Sequence, residues 1–340
     1  MALFVGWWSI AEAATAFATT ALHLGIARFC LGLGEPGLWV AAPKAVGEYF
    51  EEQKRGLAIG MYSMGATVGA VVAIPAIAAI TSHLPWRSIF LIDGAVGVLW
   101  LPLWFWCVRH DDPKRNETTT NVAGQVNATG TANRSGLRAV LSSSSTWKLM
   151  VARGMTDPVW YFYLFWFPKY LLSARHLTLL QLAHTGWVVY LGAGVGTLAG
   201  GFFSGMLIRR SIPVGIAYRY TLLISAALVP LSPLCALVSS STFAIALASI
   251  VAFAHMSWLV TLTATVVELY PPGLVGKAAG LIAAGSGFGG MLSSEIIAYF
   301  VTHGGYTPVF FLMGVVHPIA LALVWRVYEK KQTMFESVIA

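Results

Sequence analysis

The chain alternates between long apolar runs and short polar connections. Each run has about 20 residues or more, the length that an α-helix needs to cross about 30 Å of hydrocarbon. The runs cover residues 2–20, 24–46, 57–81, 88–108, 148–172, 181–207, 216–238, 243–266, 277–301 and 307–327. The pattern predicts an all-α polytopic membrane protein with ten transmembrane helices.

A longer polar stretch separates the fourth run from the fifth. Residues 109–147 are rich in Asn, Thr, Ser and Gly, a composition typical of a flexible linker. We therefore expect a helical bundle over residues 1–108, a linker over 109–147, a six-helix bundle over 148–328 and a tail over 329–340.

The composition supports a membrane protein and argues against other classes. Hydrophobic residues make up 57% of the chain and charged residues 10%, whereas soluble domains carry about 25% charged residues. The net charge of +7 comes from basic residues in short connections, so no nucleic-acid partner is predicted. Three cysteines without CxxC spacing indicate neither a disulfide framework nor a zinc site. No metal or cofactor is predicted.

Lysine and arginine indicate the orientation in the membrane. If both termini and the linker share a side, that side carries fifteen basic residues and the other side carries only Arg87, Arg175 and Lys169. Cytoplasmic connections carry the excess of positive charge. The termini and the linker are therefore predicted to be cytoplasmic, in a multi-pass protein of the plasma (inner) membrane that we expect to be monomeric.

The motifs of intramembrane enzymes and ATP-driven pumps are absent from the sequence. It contains no HExxH, no GxSxG and no Walker A pattern GxxxxGK[ST]. The chain is therefore predicted not to be an enzyme.

The sequence contains an internal repeat with an offset of 220 residues. This shift superposes "EYFEEQKRGLAIGMYSMGATVGA" on "ELYPPGLVGKAAGLIAAGSGFGG" and matches Glu48 with Glu268, Gly65 with Gly285 and Gly69 with Gly289. Small residues at such spacings also serve general helix packing, but a loop and two helices sharing one offset favour duplication. The second bundle has six helices and the first four, so we expect a six-plus-six protein shortened by two N-terminal helices.

Four stretches carry a resemblance to a known family. They are "RFCLGLGEPGLWVAAPKAVGEYF", "TDPVWYFYLFWFPKYL", "FAHMSWLVTLTATVVELYP" and "GYTPVFFLMGVVHPIALAL". With the repeat and the linker, they resemble the anion:cation symporter family of the major facilitator superfamily, closest to its hexuronate and aldonate transporters. The resemblance implies a major facilitator fold with ten of twelve helices, residues 1–108 being helices 3–6. It also implies proton-coupled uptake of an organic anion by alternating access between the two halves.

Arg28 and Glu35 are charged residues inside an apolar run. Seven residues are almost two helical turns, so both lie on one face about 10 Å apart along the axis, too far for a direct salt bridge. A guanidinium matches a carboxylate in shape and charge, and a glutamate can take up and release a proton. We interpret Arg28 as the anion-binding residue and Glu35 as the proton-coupling residue. The alternative is that each forms a structural pair with another helix.

Further candidate residues come from the second bundle and from the repeat. The shift of 220 places Glu35 on His255, with Trp258 one turn further on, although a lone histidine is more often a packing residue. Trp160 and Tyr161 could bind a sugar ring and its hydroxyls, or belong to an aromatic core or interface belt. The remaining candidates are Tyr62, Ser63 and Ser286 as polar lining, and Asp157, Lys169 and Glu295 as gate or interface charges.

The leading hypothesis is a secondary transporter that carries a sugar-acid anion, such as a hexuronate or galactonate, in symport with protons. The partners would be a small organic anion, the proton and the lipid bilayer. The sequence leaves open which sugar acid is carried and whether the coupling ion is a proton or sodium. The alternative is an inactive truncated fragment or a membrane assembly partner.

Overall fold

The protein is helical throughout the part that the structure describes. A computed structural model describes residues 1–110, 130–325 and 327, and these residues contain no β-strand. The helices are α1 (Ala2–Thr15), α2 (Ala21–Gly34), α3 (Pro36–Tyr49), α4 (Glu52–His83), α5 (Arg87–His110), α6 (Gly130–Ser142), α7 (Ser144–Tyr161), α8 (Phe167–Ser173), α9 (Leu179–Thr185), α10 (Trp187–Arg209), α11 (Val214–Leu228), α12 (Leu234–Leu237), α13 (Ser241–Leu269), α14 (Pro272–Gly304) and α15 (Thr307–Val324). The predicted all-α class is confirmed.

Seven helical stretches in the described residues are long and apolar enough to cross a membrane. They lie in α4, α5, α9–α10, α11–α12, α13, α14 and α15. Of the other three predicted spans, 2–20 contains the single short helix α1, and the other two are divided into shorter helices. For example, the run over 24–46 becomes α2 and α3, which meet at Glu35 and Pro36 because proline lacks the N–H that a continuous helix needs. The count of ten transmembrane helices stays a prediction.

The chain forms two compact units, and the first combines residues 1–41 with residues 73–139. Within it, α1 packs closely against α2 and α5. A Cβ atom on Gly94 of α5 would lie 2.6 Å from the carbonyl oxygen of Ser9 in α1. The indole nitrogen of Trp7 donates to the Cys30 carbonyl at 2.7 Å and ties α1 to α2. These contacts fix the helices that carry Arg28.

The second unit combines residues 42–72 with the chain from residue 140 onward. Its helices bury two apolar clusters, one around Trp258, Tyr218 and Leu149 and the other around Phe162 and Phe310. In its first half, α4 packs closely against α10 where Gly56 lies next to Gly201. The unit boundaries thus differ from the predicted bundles in residues 42–72, and the predicted domain boundaries stay a prediction.

The fifth predicted run is an interrupted helix. It consists of α7, one π-helical turn over Phe162–Trp166, and α8. Pro158 lies near the end of α7 and Pro168 near the start of α8, and each removes a backbone donor. Beyond α8, the Arg175 guanidinium donates to the carbonyl of Cys235 at 2.8 Å, which fastens this end of the helix to α12.

The linker differs from the sequence-based expectation. Its residues 130–142 form helix α6, and α7 begins at Ser144, before the predicted start of the second bundle. Val140 of α6 is buried, and its carbonyl accepts a hydrogen bond from Thr146 at 2.7 Å. Leu137, Val140 and Leu141 follow the spacing of a helix face, which the polar composition concealed. Residues 111–129 of the linker and the predicted tail 329–340 lie outside the described residues.

Candidate functional site

Arg28 is the centre of a charged group in the first unit. It lies on α2, and its Nη2 donates to Glu12 Oε2 on α1 at 2.9 Å and also to the hydroxyl of Thr15. The guanidinium carbon lies 5.5 Å from the ring centroid of Phe90 on α5. The Arg28 side chain is 41% exposed and that of Glu12 is 14% exposed. Arg28 is therefore held by a carboxylate while part of its guanidinium remains accessible.

Glu35 lies at the end of α2, and its side chain is exposed. The salt bridge of Arg28 is made with Glu12, in agreement with the spacing argument that Glu35 is too far along the helix. Asp93 and Glu35 lie close enough to Glu12 for their charges to act on it. Asp93 and Glu35 thus lie near the ion pair of Glu12 and Arg28.

Two histidines meet in the second unit. His255 of α13 and His317 of α15 are almost fully buried, and their Nδ1 and Nε2 atoms respectively lie 3.2 Å apart. The Trp258 ring packs at 5.2 Å against His317, between ring centroids. In the part of the chain that the structure describes, three polar atoms of this group have no hydrogen-bond partner: His255 Nε2, His317 Nδ1 and Trp258 Nε1. Buried polar atoms are normally paired, which makes this group a candidate binding site.

An ion pair lies beside the histidines. Arg153 Nε and Asp157 Oδ2, one turn apart on α7, are 2.9 Å apart, and the buried Asp157 Oδ1 has no partner among the described residues. The charges of Asp157 and Arg153 both act on His255. The sequence predicts Asp157 as a gate or interface charge, and in the structure its side chain lies among the buried polar groups.

The α4 candidates approach the same ion pair. The Ser63 hydroxyl and the Arg153 charge both act on the Tyr62 phenol. Ser63 is buried and Tyr62 is half-buried. We name the group formed by Tyr62, Arg153, Asp157, His255, Trp258 and His317 the polar cluster of the second unit.

The aromatic candidates on α7 make contacts of their own. The Tyr161 hydroxyl lies 3.0 Å from the Ser286 hydroxyl on α14, so these two predicted residues are brought together. The Trp160 ring meets Tyr190 edge-on at 6.2 Å between ring centroids. Both arrangements fit packing as well as binding.

Two predicted charges lie away from these groups. Lys169 is exposed, and its Nζ lies 4.8 Å from the centroid of Trp166. Glu295 is exposed on α14. Their proposed roles at a gate stay predictions.

Sequence reasoning missed Glu12, Arg153 and His317. Glu12 and Arg153 each stand in an apolar stretch, so a complete survey of intramembrane charges would have found them. The i,i+4 spacing of Arg153 and Asp157 also suits an ion pair. The repeat gives no signal for His317, because the shift of 220 places it on Gly97. Within the described part of the chain, no group of three or more His, Cys, Asp or Glu side chains is arranged to hold a metal ion.

Comparison with known proteins gives a consistent result. Residues 1–233 match the sequence profile of the Major Facilitator Superfamily. The hexuronate transporter of Escherichia coli strain K12 is 24% identical over 338 residues, which cover 97% of this chain and 78% of the relative. The galacturonate transporter of Dickeya chrysanthemi is 27% identical over 231 residues, 66% of each chain. The D-galactonate transporter of Escherichia coli O6:H1 is 24% identical, covering 88% of this chain and 73% of the relative.

Solved structures show the same fold. The proton:xylose symporter XylE superposes with a TM-score of 0.69 at 15% identity, covering 96% of this chain and 78% of that chain. The human organic anion transporter MFSD10 superposes with a TM-score of 0.65 at 13% identity, covering 95% and 76%. The structural resemblance extends over almost the entire length of the chain.

Proposed function

Because this chain belongs to the Major Facilitator Superfamily, a family of multi-pass membrane transporters, we propose that it is a secondary transporter that carries a sugar-acid anion in symport with protons. Membership of a transporter family confirms the prediction that the chain is not an enzyme. The names of its relatives supply the class of cargo, since they are transporters of hexuronate, galacturonate and D-galactonate.

The observation that carries the proposal is the pairing of Arg28 with a carboxylate. Nη2 of Arg28 already binds one carboxylate oxygen, that of Glu12, and Arg28 makes no other hydrogen bond than those to Glu12 and Thr15 in the described residues. A guanidinium has five N–H donors in a planar fork, so its remaining donors suit the carboxylate of a sugar acid. A charge inside an apolar helix is costly and marks a transport pathway by default.

The polar cluster of the second unit, taken by itself, has the donors and acceptors that hydroxyl groups need. Trp258 Nε1 can only donate, Asp157 Oδ1 accepts, and the free nitrogens of His255 and His317 can do either. A mixture of buried donors and acceptors matches a polyhydroxylated molecule, because each hydroxyl both donates and accepts. We propose that the cluster, with Ser63, Tyr161, Ser286 and Trp160 as additional lining, recognises hydroxyl groups.

Glu35 is proposed to carry the coupling proton. Its carboxylate lies beside the group that surrounds Arg28 and has no ion-pair partner in the described residues.

A cytoplasmic location of both termini and the linker, in the plasma (inner) membrane, is proposed from the distribution of basic residues. We further propose that the protein works as a monomer.

Uptake by vesicles that contain the protein tests the proposal. We expect labelled galacturonate, glucuronate or galactonate to enter faster when the outside is acidic, and a protonophore to abolish the acceleration. Arg28→Ala should reduce uptake at least tenfold, whereas the control Arg210→Ala, at the exposed end of α10, should retain it. Uptake that persists in Arg28→Ala would mean that the cargo carboxylate binds a residue other than Arg28.

The same vesicles test the role of Glu35. Glu35→Gln should retain exchange of external for internal sugar acid, because exchange needs no net proton movement, and should lose accumulation driven by a pH gradient. Accumulation that is insensitive to the protonophore and unchanged in Glu35→Gln would remove the claim of proton coupling.

A further inference from the structure

We infer that Glu12 is an internal counter-ion that holds the charge of Arg28 until it takes up a proton, and that protonation of Glu12 is what allows a cargo carboxylate to bind. This inference rests on the proposed function and adds to it a residue and a binding order. The exchange balances: a proton converts the Glu12 carboxylate to a carboxylic acid, and the anion replaces it as the partner of the Arg28 guanidinium.

The contact geometry supports this exchange. One nitrogen of Arg28 serves both Glu12 and Thr15, which leaves Nε and Nη1 without hydrogen-bond partners in the described residues. The side chain of Arg28 is also 41% exposed. The guanidinium therefore keeps donors for a second carboxylate while Glu12 is bound to it.

The charges that face Glu12 show why a proton is needed. Arg28 faces it from α2, Asp93 acts on it from α5, and Glu35 acts on it from the end of α2. With Glu12 ionised, the charge of Arg28 is already balanced, and Asp93 and Glu35 add negative charge near Glu12, so a further carboxylate is repelled. A proton on Glu12 removes the charge closest to Arg28 and makes the guanidinium available.

Glu12 is better placed for this role than Glu35. Glu12 contacts Arg28 directly at 2.9 Å, and its side chain is 14% exposed, so its charge is poorly screened by solvent. Glu35 is exposed and makes no salt bridge with Arg28 in the described residues. Two acids therefore have separate tasks: Glu12 controls binding, and Glu35 serves the coupled movement.

Equilibrium binding of galacturonate, glucuronate and galactonate to the purified chain at pH 5.5 and pH 8 tests the inference. Linkage of one proton to one anion weakens binding about tenfold for each pH unit above the titration of Glu12. The variant Glu12→Gln keeps a hydrogen-bond acceptor beside Arg28 but carries no charge. We expect its affinity at pH 8 to equal that of the unaltered protein at pH 5.5, with no dependence on pH. The matched control Glu51→Gln, at an exposed acid paired with Lys54, should retain the pH dependence of binding.

Proton uptake gives a second readout that needs no variant. In weakly buffered solution at pH 8, a pH indicator should register close to one proton taken up for each anion bound by the unaltered protein. Binding without proton uptake, or a Glu12→Gln variant whose affinity keeps the original pH dependence, would overturn the inference and leave the proposed function intact. If none of the sugar acids binds the unaltered protein at either pH, the inference and the proposed function both fail.

Discussion

Arg153 and Asp157 show how a single pair of residues can organise a buried region. They form an ion pair with side chains only 16% and 6% exposed, one turn apart on α7. Because solvent screens them little, each ion depends on the other, and removal of one partner leaves a buried charge without compensation. The charges of both residues act on His255, so a change here also alters the surroundings of the histidine pair.

Substitution of either partner should therefore destabilise the protein. We expect Arg153→Leu and Asp157→Leu each to lower the free energy of unfolding by about 3–5 kcal/mol. The double substitution should recover most of the loss, because it removes both charges. Thermal unfolding in detergent of the two single variants and the double variant measures the coupling.

Lys44 and Glu48 provide a matched control for that experiment. They have the same i,i+4 spacing, but their side chains are 52% and 42% exposed, and exposed pairs of this kind contribute about 0.3–0.5 kcal/mol. Lys44→Leu should therefore leave the melting temperature nearly unchanged. A double variant of Arg153 and Asp157 that is as unstable as the sum of its single variants would contradict the expected coupling.

The sequence predicts which residues are unusual more readily than which residues meet. Arg28, Glu35 and His255 stand out as polar groups in apolar helices, and the structure brings His255 into a buried polar cluster. The partners Glu12 and His317 come from other helices, and their contacts depend on how α1 and α15 are rotated about their axes. A one-dimensional pattern does not contain this rotation.

At the scale of elements, the repeated glycines have different surroundings in the two copies. In α14, a Cβ atom on Gly285 would lie 2.1 Å from the carbonyl oxygen of Met150 in α7, and one on Gly289 would lie 2.0 Å from that of Gly154. No atom of the described residues lies within 4 Å of such a Cβ on the equivalent residues Gly65 and Gly69 of α4. For these two glycine pairs the repeat retains the residue type, while among the described residues only the α14 copy makes the close helix contact.

This contrast gives a prediction with its own control. Gly285→Ala forces α7 and α14 apart and should lower the free energy of unfolding by about 1–3 kcal/mol. Gly65→Ala meets no atom and should leave stability unchanged or raise it by up to about 1 kcal/mol, because alanine favours the helix. Thermal unfolding of both variants is the measurement. If both variants lost the same stability, the face of α4 that carries Gly65 would have to pack against other groups, which would contradict the prediction.

Element boundaries were harder to predict than the elements themselves. The apolar runs locate every long helix, because hydrophobicity over about 20 residues is a strong signal. Helix α6 escaped detection because only a few apolar residues, among them Leu137, Val140 and Leu141, mark its face in a polar stretch. The division at Glu35 and Pro36 depends on one proline, and prolines elsewhere, such as Pro43 and Pro102, lie within helices.

At the scale of the whole molecule, the distribution of basic residues leads to a testable orientation. In a background without Cys30, Cys107 and Cys235, we expect a membrane-impermeant thiol reagent to label Ser239→Cys in intact cells and not Thr120→Cys. The positive-inside rule places the linker in the cytoplasm and the connection before α13 outside. Permeabilised cells should show labelling at both positions. Labelling at position 120 in intact cells would reverse the proposed orientation.

The superfamily fold could be recognised from the sequence, whereas its division into compact units could not. The repeat and the linker indicate two halves, but residues 42–72 group with the second unit because Gly56 and Gly201 allow α4 and α10 to touch. A Cβ atom on Gly201 would lie 2.1 Å from the Gly56 carbonyl oxygen. Contacts between residues so distant along the chain are determined by three-dimensional packing.

The π-helical turn Phe162–Trp166 limits how its helix can rearrange. Such a turn holds one residue more than an α-helical turn, so its conversion to regular α-helix rotates everything beyond it by about 100° and advances it by about 1.5 Å. Asp157 and Tyr161 precede the turn, and Lys169 follows it. A screw motion of this size would turn Lys169 relative to Asp157 and would also break the hydrogen bond that ties Arg175 to Cys235.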